Sequence, residues 1–194
     1  MEKVSYALGL SLASNLKASG IDGLDYAAFV RGAQHFYEDQ PYEMSSEQAH
    51  EIINNHFQQA QQQKSGKNLE LGKAFLAENG KKEGVVTLAS GLQYQVLTEG
   101  TGKTPTAADE VECHYHGMLI DGTVFDSSVE RGEPATFGVM QVIGGWVEAL
   151  QLMKEGSKWR LFIPAHLAYG EQGAGNSIAP NSTLIFDVEL LKII

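Results

Sequence analysis

The feature that most constrains this chain is a change of rhythm partway along it. Up to about residue 80 the apolar residues recur at helical spacing, and from about residue 85 they alternate with period two. Positions three or four apart share a helix face, whereas alternate positions share a strand face. The pattern predicts an α+β protein: an all-helical N-terminal part over 1–44, a long helical arm over 45–84, and a sheet-forming part over 85–194. A single short helix-like run, Val142-Ile143-Gly144-Gly145-Trp146-Val147-Glu148-Ala149-Leu150, interrupts the strands. The economical solution is one antiparallel sheet curled over that helix.

In the first predicted helix, Val4 to Ser19, Val4, Leu8, Leu12 and Leu16 recur every four residues, and Tyr6, Leu10 and Ala13 widen the apolar sector. Ser5, Gly9 and Ala13 form a row of small side chains along which another backbone can approach closely. Asp22-Gly23-Leu24-Asp25 reads as a turn with an N-cap, followed by a helix to Tyr37 that carries Ala27, Val30, Ala33, Phe36 and Tyr37 on one side. Two short helices are marginal alone. Their wide apolar faces predict burial in a second copy, giving a homodimer through the N-terminal helices. Ser45 and Gln48 then have capping-box spacing at the head of a third helix. From Gln58 to Asn68 that helix becomes almost wholly polar, which fits either a solvent-bridging arm with a weak point at Gly66 or a low-complexity linker. Leu69, Leu71, Phe75 and Leu76 restore apolar character before Asn79-Gly80 stops it.

In the second half, Leu92, Tyr94 and Val96 are read as one strand face, and Glu99-Gly100-Thr101-Gly102 as a turn. Val111, Cys113 and Tyr115 alternate with Glu112, His114 and His116. Asp121-Gly122 between apolar runs signals a hairpin. Ser127 to Pro134 reads as a loop. Trp159, Leu161 and Ile163 form a strand that Pro164 ends, a glycine-rich loop runs from Ala165 to Ser182, and Leu184, Phe186, Val188 and Leu190 alternate in a last strand.

Several function classes are set aside by what the chain lacks or carries. A formal net charge of −10 repels phosphate backbones and anionic lipid, so neither nucleic acid nor a membrane surface is an expected partner. Cys113 is the one cysteine, which rules out an intrachain disulfide. No run is long and apolar enough for a membrane span. Met1-Glu2-Lys3-Val4-Ser5-Tyr6 does not open a signal peptide, so a cytoplasmic location is expected, although a trimmed periplasmic form would look the same. No nucleophile elbow, phosphate-binding loop or zinc-protease motif occurs, and no cofactor is expected. His114 and His116 share a strand face, but Cys113 points away from them; they are read as solvated rather than as metal ligands. What remains is aromatic and sparse in polar groups: Tyr115, Phe125, Phe137, Trp146, Tyr169 and Phe186, with Asp126 beside Phe125. Such a set suits an apolar ring held by one or two hydrogen bonds. It offers no nucleophile–base pair and so points to a reaction that breaks no bond. On the residues alone, Trp146 is either the floor of that site or a plug of the core.

Tyr115 to Ser128 (Tyr-His-Gly-Met-Leu-Ile-Asp-Gly-Thr-Val-Phe-Asp-Ser-Ser) resembles the signature of FKBP-type peptidyl-prolyl cis–trans isomerases. So do Val142-Ile143-x-Gly145-Trp146, Ala168-Tyr169-Gly170 and Thr183 to Leu191, in the family's order and spacing, over residue 85 to the end. The helical part resembles the bacterial homodimeric subgroup related to the macrophage infectivity potentiator. The resemblance implies a dimerisation domain at 1–44, a linker helix at 45–84 and a catalytic domain at 85–194. It implies isomerisation of X–Pro bonds in unfolded or partly folded polypeptides, with macrolides as inhibitors. The alternatives are a dimeric chaperone whose isomerase activity is secondary, and a scaffold that uses the pocket for docking. The implied proline pocket is lined by Tyr115, Phe125, Asp126, Val142, Ile143, Trp146, Tyr169, Ile178 and Phe186, with Trp146 as floor. Asp126, Tyr169, Tyr115 and Phe186 carry catalysis in that reading, Arg131 orients Asp126, and Phe137 supports the wall. Substrate carbonyls meet the Ile143 N–H and the Tyr169 hydroxyl. The sequence departs from the commonest pattern at Gly144, Ala135, Ala174 and Ala179-Pro180. Ala174 and Ala179-Pro180 lie in the flap over the pocket and bear on substrate preference and macrolide affinity.

Overall fold

The computed structural model describes residues 1–21 and 23–194, in two compact units, Met1–Gln62 and Gln63–Ile194. The predicted turn residue Asp22 lies outside the described residues.

In the first unit, α1 (Glu2–Ala18) begins two residues before the predicted Val4, and α2 (Tyr26–Tyr37) starts after Asp25 as predicted. Asp25 caps α2, accepting from the Ala28 N–H at 3.0 Å. Neither helix buries a single residue: Leu8 is 58% exposed, Leu12 50%, Tyr26 76% and Phe36 67%. A lone copy of these helices therefore leaves most of its apolar sector in water. At the head of α3 (Ser46–Asn79) the capping box is reciprocal. Ser45 N–H donates to Gln48 Oε1 at 2.9 Å and Gln48 N–H donates to Ser45 Oγ at 3.1 Å. The helix runs unbroken through the Gln-rich stretch and Gly66.

The second unit begins inside α3. Of the residues that restore apolar character to α3, Phe75 turns inward, whereas Leu69 and Leu71 are 37% and 48% exposed. The inward row is Ser65, Asn68, Gly72, Phe75 and Asn79, at spacings of three and four. The helix lies too close for larger side chains. A Cβ at Gly72 would sit 2.2 Å from Thr183 Oγ1. Phe75 meets Phe162 at 6.0 Å between centroids, and Asn79 Nδ2 donates to Gln93 Oε1 at 3.0 Å.

The sheet comprises β1 (Val85–Thr87), β2 (Gln93–Thr98), β3 (Glu110–Leu119), β4 (Val124–Ser127), β5 (Ala135–Gly138), β6 (Lys158–Ile163) and β7 (Leu184–Ile193). Its order is β1-β2-β6-β7-β3-β4, antiparallel throughout, and β5 shares the outer edge of β3 with β4. The pairing of β5 with Glu110–Cys113 carried no alternation that the sequence reading could detect. The β3–β4 hairpin turns at Asp121-Gly122, where Gly122 has φ +87°. Inside the curl lies α5 (Gly144–Leu150), with Ala149 and Leu150 packed among Val111, Cys113, Leu161 and Val188. Two further corrections concern a loop and a strand. Ser127–Pro134 is not all loop, because Ser127 caps a one-turn helix α4 (Ser128–Arg131). Val96 is 39% exposed, and Gln93, on the other face of β2, is 5% exposed because α3 covers it, with Gln93 donating to Leu76 O at 2.8 Å and accepting from Asn79.

Candidate functional site

The inward face of β3 delivers Tyr115 to the concave side of the sheet, and β7 delivers Phe186 beside it. Between them Gly117 is a spacing device. A Cβ there would lie 2.7 Å from the Phe186 ring and 2.8 Å from Phe125. Its absence lets Phe125 and Phe186 meet edge to face at 5.4 Å and 83°. On the other side, a Cβ at Gly145 would sit 2.6 Å from Ile163 Cγ2, so the first turn of α5 presses against β6. This close approach sinks Trp146 into the curl. Nothing comparable constrains Gly144, where a Cβ would make only ordinary contact with Leu167 at 3.5 Å.

Trp146 turns out to be both plug and floor. It is 4% exposed, yet it lines the cleft. Tyr115, Phe137 and Phe186 stand edge to face on it at 5.6, 5.6 and 5.4 Å. Edge-to-face pairs of this kind are favourable beyond their area, and here they hold the indole from three sides. Its Nε1 is buried, with no hydrogen-bond partner among the described residues.

Above the indole opens a cleft of about 630 Å³, within the range of small-ligand sites. Tyr115, Phe125, Asp126, Phe137, Val142 and Ile143 line one part of it. Trp146, Tyr169, Ile178 and Phe186 complete the set named from the sequence. Arg131 stands behind the wall rather than in it. Gln141, Ala174 and Ser177 also line the cleft and were not foreseen as lining residues. Only Ala174 carried a signal, as a departure from the family pattern.

The polar edge is a closed ring of three side chains. Tyr115 Oη donates to Asp126 Oδ2 at 2.6 Å, Arg131 Nη2 donates to Tyr115 Oη at 2.8 Å, and Arg131 Nη1 donates to Asp126 Oδ1. Helix α4 makes this possible by turning the chain so that Arg131, in its last turn, faces back to Asp126 before Gly132 ends it at φ +77°. Burial pushes the Asp126 carboxyl up, but the Tyr115 and Arg131 hydrogen bonds outweigh it and hold the group below the usual carboxylate range. Tyr115 is shifted the other way, first by burial and then by donating to Asp126. Both oxygens of Asp126 are thus engaged, and the group is a fixed anion at neutral pH.

Donors left for a ligand include the Tyr169 hydroxyl and the Ile143 N–H. Tyr169 is 40% exposed at the rim. Among the described residues nothing accepts from the Ile143 N–H, which precedes the first turn of α5.

The outward histidines differ from their expected solvation. His114 Nδ1 lies 3.1 Å from Ser128 Oγ and His116 Nδ1 lies 2.9 Å from Ser127 Oγ, so both rings are tied to the start of α4. Among the described residues no three His, Cys, Asp or Glu side chains stand grouped for a metal ion. Cys113 is buried, and burial pushes its thiol up to about 12, so it offers no thiolate near pH 7. The cleft can bind, orient and desolvate an apolar ring. It holds no activated nucleophile.

Comparison with known proteins extends beyond the cleft. A sequence model for FKBP-type peptidyl-prolyl cis-trans isomerase matches residues 101–191, and one for the domain amino terminal to FKBP-type peptidyl-prolyl isomerase matches residues 1–96. The FKBP-type 22 kDa peptidyl-prolyl cis-trans isomerase of Escherichia coli is 47% identical over 195 residues, covering 99% of this chain and 95% of that protein. Outer membrane protein MIP of Legionella longbeachae is 42% identical over 199 residues, covering 99% and 85%. The crystal structure of FkpA from Escherichia coli superposes with a TM-score of 0.81 at 38% identity, covering 98% of this chain and 95% of that one.

Proposed function

The chain belongs to the FKBP-type peptidyl-prolyl cis-trans isomerases, and from that premise we propose how its own residues accelerate rotation about an X–Pro bond. The uncatalysed rotation takes tens to hundreds of seconds because it interrupts amide resonance. In the twisted state the C–N bond loses double-bond character and the carbonyl oxygen loses charge. A planar amide prefers water to an aromatic cleft more strongly than a twisted one does. The cleft therefore raises the ground state relative to the barrier.

The proline ring lies on Trp146, between the edges formed by Tyr115, Phe125 and Phe186. Val142, Phe137 and Ile178 close the apolar wall. The Ile143 N–H and the Tyr169 hydroxyl take the substrate carbonyls. Asp126 acts as an orienting charge, not as a proton-transfer base. The observation that carries this role is the ring of hydrogen bonds from Tyr115 and Arg131, which occupies both carboxylate oxygens. Each tenfold gain in rate needs only about 1.4 kcal/mol, so a few such effects suffice. A macrolide with a proline-like ring competes for the same floor.

The N-terminal unit is proposed to pair with a second copy. Support comes from α1 and α2, which bury none of their residues in the single chain. On this reading 1–44 is the dimerisation part, 45–84 the arm and 85–194 the catalytic part. Two pockets on one dimer give a long unfolded chain a second contact at raised local concentration. A holding function for such chains ranks behind isomerisation.

A coupled isomerisation assay with the full chain on a proline peptide tests the catalytic reading. Turnover is expected, and its absence on every proline peptide leaves only a docking module. Light scattering at micromolar concentration should give twice the chain mass, and a monomer mass refutes the pairing.

A further inference from the structure

We propose that Asn68 and Ser65, on the arm helix, are positioning residues for the active-site flap and so help set the enzyme's affinity for its substrate. The inference rests on the isomerase reading above and extends the working site into a helix outside the sheet domain.

The flap, residues 173–182, supplies Ala174, Ser177 and Ile178 to the cleft. Its tip is closed on itself. Ala174 N–H donates to Ile178 O at 2.8 Å, and Ile178 N–H donates to Ala174 O at 3.1 Å. This bridge stiffens the tip, but it does not determine where the tip stands over Trp146. That is decided by the return segment Ala179-Pro180-Asn181, and two of its residues are held by α3. Asn68 Nδ2 donates to Pro180 O at 2.9 Å, and Asn181 Nδ2 donates to Ser65 Oγ at 2.8 Å. Pro180 has no N–H, so its carbonyl is the one backbone group by which it can be held through a hydrogen bond. Asn181 sits at φ +55°, a left-handed conformation that asparagine tolerates better than most residues.

Ser65 and Asn68 are one turn apart on the same helix face, and Gly72 continues that face onto Thr183. Three successive turns of α3 thus meet positions 181, 180 and 183. Two kinds of attachment are separated along the helix. Near its end, Phe75 on Phe162 and Asn79 on Gln93 hold the helix to the sheet. Nearer the flap, Asn68 and Ser65 bond to the loop instead of the sheet, and these directional hydrogen bonds register the loop's position. Removing the Asn68 amide therefore loosens the flap at Pro180, with Asn181 still held by Ser65 and Gly170, while leaving the helix docked.

The test uses full-chain variants Asn68→Ala and Phe75→Leu. In Asn68→Ala, KM for a proline peptide is expected to rise about threefold to tenfold, with kcat within about twofold, matching one net hydrogen bond to the flap. Backbone exchange at the Ile178 amide should quicken by a similar factor. Phe75→Leu should lower the melting temperature yet leave KM and Ile178 exchange as in the wild type. The proposal is overturned if Asn68→Ala leaves both unchanged, or if Phe75→Leu raises KM as much. Wild-type turnover on the same peptide tests the isomerase reading by itself, so the two failures cannot be confused.

Discussion

Replacing Tyr115 by phenylalanine removes one atom from the polar edge of the cleft and keeps the ring on Trp146 and Phe186. The Tyr115 hydroxyl is 2.6 Å from Asp126 Oδ2 and accepts from Arg131 at 2.8 Å. A hydrogen bond to a charged group contributes about 1.5–3 kcal/mol when buried. Here the Asp126 side chain is 44% exposed, so water replaces part of the loss. The stability cost should fall to about 1 kcal/mol, a lowering of about 2–4 °C in the melting temperature for a chain of this size. Catalysis should suffer differently. With one of its two holds gone, Asp126 samples other rotamers, and kcat/KM should drop about fivefold to tenfold, equivalent to about 1–1.4 kcal/mol. Coupled isomerisation on one peptide, with melting curves on the same preparation, separates the two effects. If the melting temperature falls while kcat/KM stays within twofold, the ring only stabilises the fold and the orienting role of Asp126 is wrong.

The pH profile follows from the same ring. Asp126 titrates below its usual value, so its contribution to stability is full above the ordinary carboxylate pKa of about 4 and is lost as pH falls through the lowered folded value. Tyr115 titrates above its usual value, so its contribution is full below about pH 10 and is lost as pH rises through the raised folded value. Rate measured from about pH 5 to 9 should therefore be flat, and a carboxylate inflection in that window would show that Asp126 transfers a proton. Gly117→Ala forces a methyl group within 3 Å of Phe125 and Phe186; calorimetry should report a loss of about 1–3 kcal/mol, with a raised KM, and an unchanged protein would refute the spacing argument. Removing residues 1–62 should leave turnover on a short peptide nearly intact and sharply reduce refolding of a proline-limited protein. Removing 1–80 should in addition lower the melting temperature, because it strips Gly72, Phe75 and Asn79 from the sheet; equal melting of the two truncations would sink that distinction.

Much of this molecule is written locally. The helix starts at Asp25 and Ser45 follow from side chains that bond within three residues of their own backbone. The turn at Gly122 and the alternation of Val111, Cys113 and Tyr115 against Glu112, His114 and His116 are equally short in range. The aromatic set around Trp146 was legible because few polar groups interrupt it and because four motifs stand in the family's order. Less was legible where contact depends on distant partners. Strand β5 has no alternation and exists because β3 offers it a free edge. Gln141 and Ser177 carry no pattern that announces a wall.

By itself, then, the sequence determined what is periodic or short in range: the switch from helix to sheet, the caps, the hairpin and the supply of rings for one apolar site. Only the tertiary structure decided which face of α3 is buried, that Trp146 is plug and floor together, and that Arg131 closes a ring with Tyr115 and Asp126. It also decided that Asn68 holds Pro180 across 112 residues of chain. The physical reason is common to all four. Each depends on how near two separate backbones come, and that distance is set by the bare Cα of Gly72, Gly117 or Gly145, or by the turn at α4, rather than by the spacing of apolar residues.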